Sequence, residues 1–198
     1  RQRQMCIRDR SRDRLEQKVT AVTTPPDERE DLGPTPLRMR KALGRFASGV
    51  TIVTTAEGDD EDSVHGMTAN AFTSVSLDPP LVLVSIANRA RMNEKISQTG
   101  RYGVSILASD QEPLSLHFAG GTRQPDLVRF AWRKGVPLLE GALVHLSCRV
   151  TDSHLAGDHT LHIGHVEELW YDDGHPLLFY TGSFRALELQ GNDDPWGF

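Results

Sequence analysis

The chain has 198 residues, which is enough for one domain with a substantial hydrophobic core. Its net charge is −5, and because residues 1–14 carry +4, residues 15–198 carry −9. A body this acidic argues against nucleic-acid binding, which needs a basic face. The sequence contains no apolar run approaching ~18 residues, which argues against a helical membrane span.

The first 36 residues differ in composition from the rest of the chain. Residues 1–14 lack apolar periodicity, and we interpret their arginines as a non-native scar rather than as a nucleic-acid arm. Residues 15–36 combine prolines with an acidic run at 27–31 and are typical of a disordered leader. The predicted domain therefore spans residues 37–187, and residues 188–198 form a polar tail.

The domain is predicted to begin with a helix that is followed by a strand. Thr35 can cap a helix with Pro36 at its first position. The apolar residues that follow at helical spacing are Met39, Ala42, Leu43, Phe46 and Ala47. Gly49 is expected to end this helix. The β-branched residues of 50–55 then predict a strand, which an acidic turn at 57–62 separates from a second one at 64–67.

The middle of the chain predicts strands with short helices between them. The continuous apolar run at 81–86 is typical of a strand that is buried on both faces. A short helix is predicted over 89–98, ended by Gly100, and a strand follows over 102–108.

The second half of the domain is predicted to be mostly strands. Ser109 and Glu112 form a capping box for a short helix that reaches about Phe118. Apolar and polar residues then alternate over 142–150, with Cys148 on the apolar face, and further strands are predicted over 159–171 and 177–181. About seven short strands with few helices indicate an antiparallel barrel.

The segment 66–80, GMTANAFTSVSLDPP, places small and hydroxyl-bearing side chains where a strand normally carries bulk. Small side chains allow a flat or anionic ligand to approach the backbone, and hydroxyls and amides can donate hydrogen bonds to phosphate. The sequence has neither a Walker loop nor a GxGxxG motif, so a nucleotide phosphate would have to be bound in another way.

Four segments in order resemble the flavin reductase-like family: ALGRFASGVTIVT at 42–54, the segment 66–80, GDHT at 157–160 and PLLFY at 176–180. The resemblance covers roughly residues 37–187. It implies a mainly β fold, an antiparallel Greek-key split β-barrel known as the FMN-binding split barrel, with a few short helices. It also implies that the protein reduces FMN or FAD with NADH or NADPH, forms a homodimer and supplies reduced flavin to a separate monooxygenase.

The resemblance also implies where the flavin would bind. The residues expected at the edge of the isoalloxazine ring are Met67, Thr68, Ala69 and Asn70. The residues expected near the ribityl phosphate are Ser74, Val75 and Ser76. A further phosphate contact is expected from Asn88 with Arg89 or Arg91, because a guanidinium group matches phosphate oxygens. Other flavin-side residues are Phe118, Ala119 and Tyr180, and among aromatic residues Trp132 and Phe184 could also wall a flat ligand, although such rings are more often core.

His159 is the candidate catalytic residue. In the family, the histidine of Gly157-Asp158-His159 lies beside the flavin where the nicotinamide stacks, and Asp158 either orients its imidazole or makes the turn. Taken without the resemblance, a single histidine on a strand is more often a solvated or core side chain. No metal site is expected, because His159 and His165 would lie ~20 Å apart on one strand and His162 would face the other way.

Two other functions stay open at this point. One is a flavin- or haem-handling split-barrel protein without nicotinamide turnover, and the other is an accessory module of a monooxygenase that never releases its flavin. No arginine cluster clearly suits a 2′-phosphate, which favours NADH over NADPH. The two cysteines, Cys6 and Cys148, make no disulfide framework, so a reducing cytoplasm is expected.

Overall fold

The computed structural model describes residues 33–187. The predicted leader up to residue 32, Cys6 and the predicted tail at 188–198 lie outside the described residues. The chain divides into two units between Met39 and Arg40. In the described part of the first unit, the Thr35 hydroxyl accepts a hydrogen bond from the Arg38 amide at 3.3 Å, so the predicted helix cap is confirmed.

Helix α1 (Pro36–Leu43) is shorter than the sequence predicts. Its last hydrogen bond is donated by the Gly44 amide, after which the next two amides bond only three residues back. The prediction that Gly49 ends the helix is wrong, because Ser48–Gly49 forms strand β1 and is hydrogen-bonded into a sheet. The apolar stripe is also not buried, since Leu43 and Phe46 are 64% and 83% exposed.

Residues 51–187 form the other eleven strands of the described chain and two more helices. The strands are β2 (Thr51–Ala56), β3 (Val64–Ala69), β4 (Phe72–Leu77), β5 (Pro80–Ala87), β6 (Arg101–Ile106), β7 (Phe130–Arg133), β8 (Val136–Leu139), β9 (Val144–Ala156), β10 (His159–Tyr171), β11 (Leu178–Tyr180) and β12 (Ser183–Arg185). The helices are α2 (Arg91–Thr99) and α3 (Glu112–Phe118), and short 3-10 turns occupy Glu61–Ser63 and Pro125–Leu127.

The main sheet has seven strands in the order β3-β2-β6-β9-β10-β5-β4, and every neighbouring pair is antiparallel. Strands β1, β11 and β12 form a small second sheet, and β7 pairs with β8. The prediction of a mainly β, antiparallel fold with few helices is confirmed. Within residues 33–187, no helix has the length and apolar character needed to cross a membrane.

Two hydrophobic clusters form the core. The larger one packs the inner face of the main sheet against α2, and its members include Val53, Val84, Ile86, Met92, Ile96, Tyr102 and Cys148. Cys148 is a free, buried thiol on the apolar face, as predicted, and burial raises its pKa to about 12. The smaller cluster packs α3 against the start of β2, and its members are Val50, Ile52, Leu107, Leu114, Leu139 and Leu177.

Strand β5 is buried on one face only, which corrects the prediction of two covered faces. Val82, Val84 and Ile86 point into the core. Leu83 and Ser85, on the opposite face, are partly exposed and line a groove. The single chain therefore leaves the outer face of this apolar strand open.

The predicted capping box at Ser109 is wrong. Helix α3 follows Gln111, which makes no side-chain cap. The Gln111 side chain instead accepts from the Ala108 amide at 3.0 Å and donates to the Glu140 carbonyl at 3.1 Å. The other helix end is as predicted, because Gly100 caps α2 in the left-handed conformation with φ of 66°.

His162 lies in the middle of β10 and is 1% exposed. The side-chain nitrogen of Asn93 donates to the Ala87 carbonyl. The side-chain oxygen of Asn93 therefore faces His162 and accepts from its Nε2 at 2.9 Å. His162 Nδ1 then accepts from the Ser153 hydroxyl at 2.9 Å. Burial lowers the pKa of His162, so the folded protein holds this imidazole neutral.

This network predicts a loss of stability in mild acid. Below pH ~6.5 His162 is protonated in the unfolded chain but stays neutral in the folded protein. The free energy of unfolding therefore falls as the pH drops towards the lowered pKa of His162. We expect the His162→Gln variant to lose less stability than the wild type between pH 7.5 and 5.5 in urea titrations, by at most ~1.4 kcal/mol per pH unit. Thr73→Ala is the control, because it removes an exposed hydroxyl and no titratable group and should therefore keep the wild-type slope. Equal slopes for wild type and His162→Gln would contradict this account.

Candidate functional site

Two concave surfaces meet at Asn70, which lines both of them. The first, called the apolar cavity, has a volume of about 200 Å³ and is lined by Val50, Thr68, Asn70, Ser115, Ala119, Phe179 and Phe184. The second, called the groove, has a volume of about 790 Å³ and is lined by Leu43, Phe46, Ala47, Ser48, Gly49, Thr51, Asn70, Ala71, Phe72, Thr73, Leu83, Ser85 and Ile106. The groove and cavity together form the candidate site.

Strand β3 brings its alternate side chains to opposite sides of the site. Met67 and Ala69 pack into the core, whereas Thr68 lies against α3, where its hydroxyl donates to the Ser115 carbonyl at 2.6 Å. Asn70 is exposed just beyond the end of the strand. Of the four residues predicted at the ring edge, Thr68 and Asn70 therefore place their side chains in the cavity, and Met67 and Ala69 do not.

Two serine hydroxyls beside these surfaces have no hydrogen-bond partner among the described residues. They belong to Ser115, which lines the apolar cavity, and Ser48, which lines the groove. A buried polar group left unpaired costs about 1–3 kcal/mol. A ligand that supplies polar atoms at these positions would remove that cost.

The aromatic walls of the cavity come from the small sheet. Phe179 and Phe184 pack edge to face with ring centroids 5.5 Å apart, and both line the cavity. Phe184 was expected there and Phe179 was not, although it lies inside the PLLFY segment. Tyr180 is partly buried on the same strand, and neither it nor Trp132 lines the cavity.

Phe118 and Ala119, both predicted beside the flavin, border different cavities at the end of α3. Ala119 lines the apolar cavity. Phe118 lies against Gly66, where a Cβ atom would be 2.6 Å from the phenyl ring, and it borders a separate cavity of about 290 Å³. Gly66 is therefore needed for close packing of α3 on β3.

The turn between β9 and β10 carries His159. Gly157 makes the turn with φ of 63°. The backbone amide of Asn88 donates to the Asp158 carbonyl at 2.9 Å. The side chain of Asn88 donates to the Gly157 carbonyl at 3.2 Å and accepts from the Thr160 hydroxyl at 2.8 Å. Asn88, predicted as a phosphate contact, thus has its side-chain amide engaged in holding this turn.

Asp158 fixes the orientation of the His159 imidazole. Its carboxylate lies 2.7 Å from His159 Nδ1, and this hydrogen bond lowers the pKa of Asp158, with a smaller contribution from the Arg89 charge. An ionised Asp158 accepts from Nδ1–H, which leaves Nε2 of the partly exposed His159 for a ligand.

The predicted phosphate contacts lie at opposite ends of β5. Ser74 and Ser76 pair with Val82 and Leu81, and Val75 forms a bulge between them. Arg89 follows the other end of the strand, beyond the Ala87–His159 pair, and Arg91 begins α2. Six residues of strand correspond to ~20 Å, so within one chain these serines and arginines do not meet at one phosphate.

A third concave surface carries positive charge and was not predicted. It has a volume of about 480 Å³ and is lined by Arg40, Lys41, Gly44, Arg45, Thr181 and Gly182. The Thr181 amide donates to the Gly44 carbonyl at 2.9 Å, which holds the loop of the small sheet beside the end of α1. Three cationic and no acidic side chains make this surface attractive to anions.

Among residues 33–187, no three His, Cys, Asp or Glu side chains are grouped so that they could hold a metal ion.

A mainly antiparallel β fold with an apolar cavity, walled in part by Phe179 and Phe184, defines a class of protein that can bind planar ligands. Within that class, residues 43–188 match the model of the flavin reductase like domain, so the chain belongs to the flavin reductase-like family. The family prediction and the split-barrel fold class are thereby confirmed.

Individual relatives are similar over most of their length. An NADH-dependent flavin reductase from a Rhodococcus species is 79% identical over 164 residues, covering 83% of this chain and 93% of the relative. The reductase component of 4-hydroxyphenylacetate 3-monooxygenase from Thermus thermophilus is 39% identical, covering 75% of this chain and 94% of the relative. The structure of a Streptomyces globisporus NADH:FAD oxidoreductase in complex with NAD and FAD fragments is 36% identical, with a TM-score of 0.72, covering 79% of this chain and 94% of the other.

Proposed function

We propose that this protein is a flavin reductase that oxidises NADH and reduces FMN or FAD. The observation that carries the proposal is the apolar cavity beside Asn70, in a chain that belongs to the flavin reductase-like family. The relative that is 79% identical is an NADH-dependent flavin reductase, which supports both the reaction and the choice of NADH. Turnover of nicotinamide distinguishes this function from a flavin- or haem-handling protein without catalysis.

The chemistry of the cavity fits the isoalloxazine ring of a flavin. Its walls include the rings of Phe179 and Phe184, which suit the apolar faces of a flat ligand, and Thr68, Asn70 and Ser115 supply polar groups. The bound flavin supplies the hydride-accepting chemistry. The protein contributes position and shape, so no nucleophile or acid–base pair is required.

His159 is the residue that we assign to the nicotinamide. Asp158 holds its ring in one tautomer and Asn88 holds the turn, so the imidazole is placed by hydrogen bonds rather than by burial. A partly exposed ring held in this way can contact a co-substrate that binds and leaves in each turnover.

We further propose that the reduced flavin passes to a separate monooxygenase in the cytoplasm. The Thermus relative is the reductase component of such a two-component enzyme, which supports a partner of this class. The free, buried thiol of Cys148 and the use of NADH are compatible with a reducing compartment.

A homodimer is proposed from the open face of β5. The groove places the partly exposed Leu83 beside Leu43 and Phe46, and Phe46 is 83% exposed in the single chain. A second copy would bury this apolar surface. Light scattering at micromolar concentration should give the mass of a dimer, and a monomer mass would contradict the proposal.

The reductase function is tested by following NADH oxidation without any partner protein. The purified chain should consume NADH when FMN or FAD is present, and it should prefer NADH to NADPH. The control is the same mixture without added flavin. If neither nicotinamide is consumed with FMN, FAD or riboflavin, the protein is not a flavin reductase, even if flavin binds.

Replacing His159 should affect flavin reduction more than flavin binding. We expect His159→Ala to lower the rate of flavin reduction at subsaturating NADH by about tenfold or more, equivalent to ~1.4 kcal/mol, in stopped-flow experiments. Flavin affinity from fluorescence titration should stay within about threefold. His154→Ala is the matched control, since His154 also contacts an aspartate on the same hairpin. Unchanged reduction would make His159 only a turn residue, and lost flavin binding would place it in the flavin pocket.

A further inference from the structure

We propose that the hydroxyl of Ser115 forms a hydrogen bond with the isoalloxazine ring of the flavin inside the apolar cavity. This inference rests on the proposed function and extends it, since it names a contact for the ring. Ser115 lies in α3, three residues after Glu112, and nothing in its sequence context points to a ligand.

The first argument is the state of the Ser115 hydroxyl. The residue is 0% exposed, and its Oγ atom has no hydrogen-bond partner among the described residues. A helical serine often donates to the carbonyl four residues back, yet here the Gln111 carbonyl accepts only from the Ser115 amide, at 3.1 Å. Buried hydroxyls are nearly always paired, so this one is suited to pair with a ligand.

The second argument is that the rest of Ser115 is fixed. Its carbonyl accepts from the Thr68 hydroxyl at 2.6 Å and from the Ala119 amide at 3.0 Å. These bonds fix the backbone of α3 against β3, so Ser115 is held in place in the wall of the cavity. Pre-organised donors of this kind contribute more to binding than mobile ones do.

The third argument is the chemistry of the cavity that Ser115 lines. The other lining residues are apolar or neutral: Val50, Thr68, Asn70, Ala119, Phe179 and Phe184. A phosphate would lack a cationic partner there, whereas a flat ring with polar atoms at its edge matches aromatic walls and neutral donors. The isoalloxazine ring carries carbonyl oxygens and ring nitrogens that can accept a hydrogen bond from a serine hydroxyl.

The test compares flavin affinity with the stability of the flavin-free protein. Ser115→Ala should weaken the binding of riboflavin and FMN equally, by about tenfold, in fluorescence titrations without NADH. The melting temperature of the flavin-free protein should stay the same or rise, because the substitution removes an unpaired buried hydroxyl. Ser97→Ala is the matched control: this helical serine donates to the Asn93 carbonyl at 2.8 Å, and its loss should leave both affinities unchanged.

Three results for Ser115→Ala would overturn the proposal. Unchanged affinities would mean that the hydroxyl makes no contact with the flavin, and weaker FMN binding with unchanged riboflavin binding would place the contact at the phosphate. A lower melting temperature of the flavin-free variant, together with weaker binding, would assign Ser115 a structural role. If Ser115→Ala does not fold, Ser115→Cys, which keeps a weak donor of similar size, should fold and bind with intermediate affinity. Because these titrations contain no NADH, a wild type that binds flavin but oxidises no NADH would overturn only the reductase function.

Discussion

The candidate site depends on one hydrogen bond, from the Thr68 hydroxyl to the Ser115 carbonyl. It joins β3, the strand that carries the small-residue segment, to α3, the helix that forms the opposite wall of the cavity. Gly66 allows the close approach, because any side chain there would collide with Phe118. The Ser115 carbonyl is thereby paired, whereas its hydroxyl has no hydrogen-bond partner within residues 33–187. A site built this way is formed before its ligand arrives, which suits an enzyme that must bind and release flavin in each cycle.

The antiparallel sheet places the predicted site residues at different ends of its strands. The pairing of β5 with β10 brings Asn88 to the His159 turn, and the pairing of β5 with β4 puts Ser74 and Ser76 at the far end. The hydrogen bonds of Asn88 therefore hold the turn that carries His159. The positive surface of Arg40, Lys41 and Arg45 adjoins the small sheet whose Phe179 and Phe184 wall the cavity. Its three cationic side chains give an otherwise acidic protein a local positive charge.

Local sequence rules predicted those elements whose ends are set by nearby residues. Strand β10 spans His159–Tyr171 as expected, and Gly100 ends α2 because only its left-handed conformation is required. The β7–β8 hairpin was not predicted, although the glycine at position 135 is a sequence signal for a turn. In the structure Lys134 and Gly135 both have positive φ, as a two-residue turn demands. The predicted helix α1 was too long because Ser48–Gly49 pairs with β11 instead of continuing the helix. The local sequence pattern does not show that this distant strand is available for pairing. Ser115 could not be found for the same reason, since an unpaired hydroxyl is defined only by the neighbours that the fold supplies.

We propose that the isoalloxazine ring binds in the apolar cavity beside Asn70. The most direct measurement is a crystal structure of the protein with FMN bound. The account predicts that the ring lies against Phe179, Phe184 and Ala119, with one of its polar atoms within hydrogen-bond distance of Ser115 Oγ. A ring bound over the exposed Ser74–Ser76 edge of β4, with the cavity free of flavin, would contradict it.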